Sequence, residues 1–381
     1  MISKSTTTKI KVCQLSSVHP PFDTRVFHKQ CKSLSQAGYD VSLVIKHEKD
    51  EEICGVKIIA LQSPKSRITR MTVTIAKLFR QALRVDADIY HFHDPELLPA
   101  GLLLRMLGKP VIYDVHESYP AQIKCKPWIP SALRTPIAKL ADVFELLFSR
   151  FMSVVIVAGK DIEARFDGTA KILLRIENFP IIDKSEYIDS KSEKDVFTFV
   201  NFGGVWSART TGEQVESLGF LSEDQNIRLV LGGRIVQDEL YESIQRSPGW
   251  PKVEYVGLVD RETMVRHLNN ASAAMVLYSD HPNHQSIRSN RVYEAMAAGL
   301  PVIVSDFPEW REFIAKHKCG IAVNPEDTNA IADAFRKLAS NPEESREMGL
   351  RGQRAVLEIY NWNSEAKKLI SLYEEIISNK I

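Results

Sequence analysis

The strongest constraint on this chain is a rhythm that occurs twice: short apolar runs, each followed by a turn and then a stretch whose apolar residues recur at helical spacing. In the first half the runs are KIKVCQLSSV, YDVSLVIK, GVKIIAL, DIYHFH, KPVIYDV and SVVIVA. In the second they are FTFVNFGG, IRLVLGG, KVEYVG, AAMVLY, LPVIVSD and CGIAV. Apolar runs with little polar alternation read as strands buried on both faces, and strands alternating with helices build a parallel, doubly wound sheet. The expectation is an α/β chain with two Rossmann-like doubly wound domains. A length of 381 residues suits two cores. The polar stretch ENFPIIDKSEYIDSKSEKD has the composition of a join, which predicts domains over 1–182 and 183–361. Residues 362–381 then form a C-terminal helix that packs back toward the first domain through Leu369, Leu372 and Ile376.

Charge excludes one class of partner. With 49 Lys and Arg against 48 Asp and Glu, the chain carries no global field to hold nucleic acid. Cys13, Cys31, Cys54, Cys125 and Cys319 are scattered and form no CxxC pair, which fits a reducing compartment. The polar start MISKSTTTKIKV lacks the layout of a secretory signal, and no apolar run approaches a bilayer span, so the expected location is cytoplasmic. One local asymmetry stands out. Residues 65–85 carry Lys65, Arg67, Arg70, Lys77, Arg80 and Arg84 with no acid. Together with KCKPWIPSALRTPIAKLADVFELLFSRF they predict peripheral contact with an anionic membrane. The alternative is ordinary: Leu140, Phe144, Leu147 and Phe151 also have core spacing, and the cations also suit a solvated face.

The segment HQSIRSNRVYEAMAAGLPVIVSDFPEW reads as loop, helix, a stop at Gly299 and a buried strand. Val292, Ala295 and Met296 make the core face of that helix, and Glu294 falls opposite with Asn290 and Arg291. A helix N-terminus suits a diphosphate, and a carboxylate one turn in accepts from vicinal sugar hydroxyls. Gly203-Gly204 after a strand marks a tight turn. His91 and His93 share one side of a strand, with Asp94 following, and read either as a metal site or as the lining of a substrate cleft. Asp86-Ala87-Asp88 has an Asp-x-Asp form but precedes a strand, which favours a helix-to-strand turn. His116 and Glu117 end another apolar strand. No GxGxxG follows the first strand, which disfavours a dinucleotide enzyme.

These blocks in this order, with HPPFDTRVFHKQCKSLSQAGYDV, DIYHFHDPELLPAG, KPVIYDVHES and FTFVNFGGVWSARTTGEQVES, resemble family 4 (group 1) glycosyltransferases of GT-B fold. The resemblance implies two domains facing a central cleft and a glycosyltransferase that needs no metal and no cofactor beyond its nucleotide-diphosphate-sugar donor. It implies transfer of a hexosyl or deoxyhexosyl group, with retention, to a glycan or lipid-linked acceptor. Surface polysaccharide or glycoconjugate biosynthesis is the expected setting. It assigns Gly203, Gly204, Arg209, Ser286, Asn290, Arg291 and Glu294 to the donor, with Glu294 on the ribose and Arg209 on the diphosphate. Ser286 stands where the family has a glutamate, and Arg209's usual basic partner has no evident match. His116 is the second catalytic residue, donating a hydrogen bond where charge develops; Arg25, His93, Asp94 and Glu117 line the acceptor side. Arg25 suits either a phosphate or an ion pair. Two rivals remain: a sugar-nucleotide epimerase of the same fold, and a catalytically silent nucleotide-sugar-binding protein.

Overall fold

A computed structural model describes residues 9–63, 66, 69–126, 128–187, 195–223, 225–281, 284 and 288–378. The described chain divides into two α/β units, one running to Asn178 and resuming at Trp362, the other spanning Phe179–Asn361. The join therefore falls earlier than residue 182, because Phe179 and Ile182 are buried in the second unit's core.

The first unit is built on β1 (Lys11–Leu15), β2 (Asp40–Lys46), β3 (Glu51–Ile53), β4 (Val56–Leu61), β5 (Ile89–Phe92), β6 (Val111–Val115), β7 (Val154–Val157) and β8 (Leu173–Arg175). Their order is β3-β4-β2-β1-β5-β6-β7-β8, with only β3 antiparallel to its neighbour. Successive side chains of a strand point to opposite faces. Val12, Ile89 and Ile112 accordingly pack one way, against Phe27 and the terminal helix Trp362–Ile377. Cys13, Tyr90 and Val111 pack the other way, against Leu78, Leu98 and Leu104. Both faces are covered, which is why these strands lack polar alternation. Leu369, Leu372 and Ile376 are buried in the first of these layers. Trp362 Nε1 donates to Ser33 Oγ at 2.9 Å, and Glu365 accepts from the backbone N–H of Glu177 at 2.9 Å, so the terminal helix is part of this unit.

After β1 the chain enters a turn capped by Asp23, whose Oδ1 accepts from the N–H groups of Arg25 and Val26. The helix Thr24–Cys31 that follows is wound wide, with i to i+5 bonding from its first turn, where the His28 N–H reaches Asp23 O at 3.1 Å. Such π geometry is rare and clusters at functional sites. It turns Arg25, Lys29 and Gln30 inward, where all three are buried.

The second unit is fully parallel: β9 (Phe197–Phe202), β10 (Ile227–Gly232), β11 (Val253–Gly257), β12 (Ala273–Val276), β13 (Val302–Ser305) and β14 (Gly320–Val323), in the order β11-β10-β9-β12-β13-β14. Ligands of open α/β sheets bind beyond the strand C-termini where the strand order reverses. That point lies beyond β1 and β5 in the first unit, and beyond β9 and β12 in the second.

Candidate active site

In the first unit a cavity of about 490 Å³ opens at the switch point. His19 follows β1, His93 and Asp94 follow β5, and His116 and Glu117 follow β6; all line it, as do Arg25, Arg70, Tyr119 and Lys126. The sequence-predicted acceptor residues are thus gathered in one place by three neighbouring strand ends.

Their charges are mostly committed to one another. Asp114 is fully buried near the C-terminal end of β6 and receives Arg25 in a two-pronged bond, Nε to Oδ2 at 3.0 Å and Nη2 to Oδ1 at 2.7 Å. Gln30 Nε2 adds a bond at 2.7 Å, and His116 Nε2 lies 3.0 Å from Asp114 Oδ2. Burial alone would raise the Asp114 pKa; the Arg25 and His116 charges and the histidine hydrogen bonds hold it well below the usual carboxylate range. Arg25 is therefore an interior ion-pair partner of Asp114, with its Nη1 left without a hydrogen-bond partner. Of its two expected roles, the ion pair is the one the structure contains, although inside the unit and not on its surface.

His93 completes the network. Its Nε2 lies 2.7 Å from Gln14 Oε1, and its Nδ1 lies 3.1 Å from His116 Nε2 and 3.3 Å from Asp114 Oδ2. Burial lowers its pKa to about 4, so the ring is neutral near pH 7. His116 Nε2 is committed to Asp114 and His93, so the ring atom of His116 left for a ligand is Nδ1.

Asp94 anchors the loop after β1. It accepts from Ser17 N at 2.6 Å and Ser16 Oγ at 2.9 Å, and pairs with His19 Nδ1 at 3.2 Å. Burial would raise its pKa, but His19 and the serine bonds bring it down to about 2. Glu117 is exposed at the rim and accepts from Gln122. His91 is wholly buried and its Nδ1 pairs with the Tyr373 hydroxyl at 2.8 Å. Ligand atoms of His91, His93 and Asp114 lie within 4.8 Å of one another. A divalent cation there would face the Arg25 guanidinium already bonded to Asp114, so the group reads better as a charge-balanced interior. Asp86 pairs with Lys109 at 2.9 Å and Asp88 accepts from Lys11 N at 2.8 Å, which makes the Asp-x-Asp segment a structural turn.

In the second unit the Gly203-Gly204 turn follows β9. Gly233 packs against it with φ +137°, and a β-carbon on Gly233 would lie 1.2 Å from Gly203 O, so no other residue fits. A β-carbon on Gly203 would lie 3.1 Å from Arg291 Nη1 and 3.8 Å from Arg209 Nη1. The two guanidinium groups therefore converge over one glycine. Arg209 stacks on the Tyr278 ring at 4.1 Å, and burial and the Arg291 charge both lower its pKa. Arg291 Nη1 is buried without a hydrogen-bond partner. Among the described residues no ion pair is recorded for either arginine. Arg291 sits in the first turn of the helix Asn290–Ala297, whose Ser289 cap makes no side-chain bond. The arrangement is a ready anion site.

Asn290 and Glu294 are half-buried on the same helix, while Val292, Ala295 and Met296 enter the core. Glu294 Oε1 lies 3.4 Å from Arg261 Nη1, while Nη2 of the same arginine makes a shorter bond of 2.7 Å to Glu186 Oε2. Ser286 lies outside the described residues, as do Lys65 and Arg67. The sequence shows no evident basic partner for Arg209; in the structure Arg291 is its charged neighbour. Asp114 was also missed, although a carboxylate within the apolar run VIYD was the available signal, as was Gln14 within KVCQL.

Two doubly wound units, each with its polar site at the switch point, are the architecture of the GT-B class of transferases. Residues 213–355 match the family of glycosyl transferases group 1, and residues 24–171 match glycosyltransferase family 4. The phosphatidyl-myo-inositol mannosyltransferase of Mycobacterium leprae is 33% identical over 306 residues, 77% of this chain and 75% of that protein. A more local match, 30% over 86 residues, joins 22% of this chain to 21% of the MMP alpha-(1->4)-mannosyltransferase of Mycolicibacterium hassiacum. The structure of Anabaena HepE in complex with UDP superposes with a TM-score of 0.68 at 13% identity, covering 96% of this chain and all of that one. The chain belongs to the group 1 glycosyltransferases, enzymes that use nucleotide sugars.

Proposed function

We propose that this enzyme moves a hexosyl or deoxyhexosyl group from a nucleotide-diphosphate sugar to a hydroxyl of a glycan or lipid-linked acceptor, with retention and without a metal. The convergence of Arg209 and Arg291 on the Gly203 turn carries this reading. Two cations without a recorded carboxylate supply what a metal supplies in other transferases, a fixed positive charge for the diphosphate as it departs. Glu294 accepts from the ribose hydroxyls. The departing phosphate takes the acceptor proton, and His116 Nδ1 accepts from a sugar hydroxyl. Gly204 and Asn290 complete the donor side, with Ser286 assigned there by the sequence resemblance alone. His93, Asp94 and Arg25 shape the acceptor cavity by fixing its walls, and Glu117 stands at its mouth. The mycobacterial relative, a phosphatidyl-myo-inositol mannosyltransferase, supports a lipid-linked acceptor in glycoconjugate or surface polysaccharide synthesis.

Thermal shift against a panel of UDP-, GDP- and dTDP-sugars tests the donor, since a bound ligand stabilises by mass action. One donor at 100 times its Kd should add about 2.7 kcal/mol of stability. Conversion of that donor alone into a second sugar nucleotide would replace transfer with epimerisation, and binding without turnover of any acceptor would leave a silent binding protein.

A further inference from the structure

The helix Ser131–Ser149 in the first unit is turned inside out. Its acids are tied to one arginine: Glu145 is fully buried, accepts from the Tyr113 hydroxyl at 2.6 Å and pairs with Arg165 at 2.5 Å, and the half-buried Asp142 pairs with the same Arg165 at 2.7 Å. Its apolar side faces out. Leu133, Ile137, Leu140, Phe144 and Leu147 recur every three or four residues as one stripe, and Phe151 extends it just past the helix end. Leu140 is 71% exposed, Leu147 48% and Phe151 51%, and none of the stripe belongs to a core cluster of the described residues. The core spacing noted in the sequence is therefore the spacing of an outer face. Arg105 Nε reaches Phe151 O at 3.2 Å, which brings the exposed Met106 and Leu107 beside the end of the stripe.

We propose that this face docks on an anionic lipid surface, burying the stripe among the acyl chains while its flanking cations meet the headgroups. Charge selects that occupant over a second protein. From 118 to 151 the segment holds Lys124, Lys126, Arg134, Lys139 and Arg150 against two acids, both of which pair with Arg165. Lys124, Lys139 and Arg150 are exposed, and Lys126 lies over the Tyr119 and Trp128 rings at 5.1 and 5.3 Å, the aromatic and basic pairing of a membrane interface. Among the described residues no helix is long and apolar enough to cross a membrane, so contact is along the surface. The proposal deepens the reading of a lipid-linked acceptor and rests on it for its purpose: Tyr119, Gln122 and Lys126, at the base of this face, line the 490 Å³ cavity, so a headgroup-linked acceptor would enter from the docked side.

The test is flotation of the full chain with vesicles of phosphatidylcholine alone or with 30 mol% phosphatidylglycerol, at low and high salt. Binding at least tenfold greater to the anionic vesicles, fading as salt screens it, is the expected result. The triple substitution Leu140→Asp, Phe144→Asp and Leu147→Asp should abolish flotation while leaving the melting temperature and transfer to a water-soluble acceptor unchanged, because these side chains support no core. Lys139→Glu with Arg150→Glu should weaken it at least fivefold. No flotation on either vesicle, or a dimer in light scattering that the triple variant dissolves, overturns the proposal. Flotation uses neither donor nor acceptor, so it succeeds or fails independently of the transfer reaction.

Discussion

Asp114 Oδ2 lies 3.0 Å from Nε2 of His116, two residues further along the same strand end, while both oxygens of that carboxylate hold Arg25. The pair fixes which face of the imidazole the cavity sees. Asp114→Asn keeps the shape and removes the charge, leaving Arg25 buried and unpaired. Breaking such a pair costs about 3–5 kcal/mol, which urea denaturation would read directly. Adding Arg25→Met should return part of that stability, since the stranded cation is gone. A loss under about 1 kcal/mol, typical of an exposed pair, would contradict this account.

His116→Ala should leave donor affinity and the fold nearly intact while turnover falls by about a hundredfold, the scale of a positioned polar group at a reacting centre. A drop in melting temperature with normal specific activity would make His116 a structural residue of the Asp114 network.

Arg291→Ala separates binding from folding. Two arginines converging over Gly203 repel each other in the empty protein, so removing one should leave the apo melting temperature unchanged or higher. Affinity for a nucleoside diphosphate should fall by about 1.5–3 kcal/mol, with the free nucleoside almost unaffected. Arg209→Ala should behave likewise. Equal, small losses for both ligands would remove the diphosphate from this site.

Glu294→Gln should weaken the nucleoside part of the donor by about 1.5–3 kcal/mol and spare inorganic diphosphate. Isothermal titration with each ligand gives the comparison. If the nucleoside binds the variant as tightly as the wild type, the ribose assignment is wrong.

Stability should depend on pH through the buried histidines. Burial holds the His93 pKa at about 4, against about 6.5 in an unfolded chain. Between those values the unfolded state binds the extra proton, so stability is full above pH 6.5 and falls as pH drops toward 4, by about 2 kcal/mol between pH 7 and 5. His91, lowered by burial and by His93, acts in the same direction. His19 acts oppositely: despite burial, Asp94 raises its pKa, so its contribution is present at low pH and lost as pH rises through the folded value. Asp94, held at about 2, adds a further loss only below pH 4. Denaturation curves for wild type and His93→Gln should diverge in slope across pH 5–7; parallel curves would show that His93 does not titrate with folding.

The sequence by itself determined the two doubly wound sheets, the helix that carries Arg291 and Glu294, and the strand ends that carry His93 and His116. Those features are local: a buried strand needs an unbroken apolar run, a helix needs its apolar period, and each leaves its mark within about ten residues. Only the tertiary structure decided which charges meet. Arg25 and Asp114 are far apart in the chain, and so are Arg209 and Arg291; the parallel crossover that brings each pair together leaves no periodic trace in composition. The outward turn of Leu140 and Leu147 was likewise undecidable locally, because an amphipathic stripe has the same spacing whether it faces a core or a membrane. Glu145 settled it, since a carboxylate bonded to Tyr113 and Arg165 pins the opposite side of the helix inward.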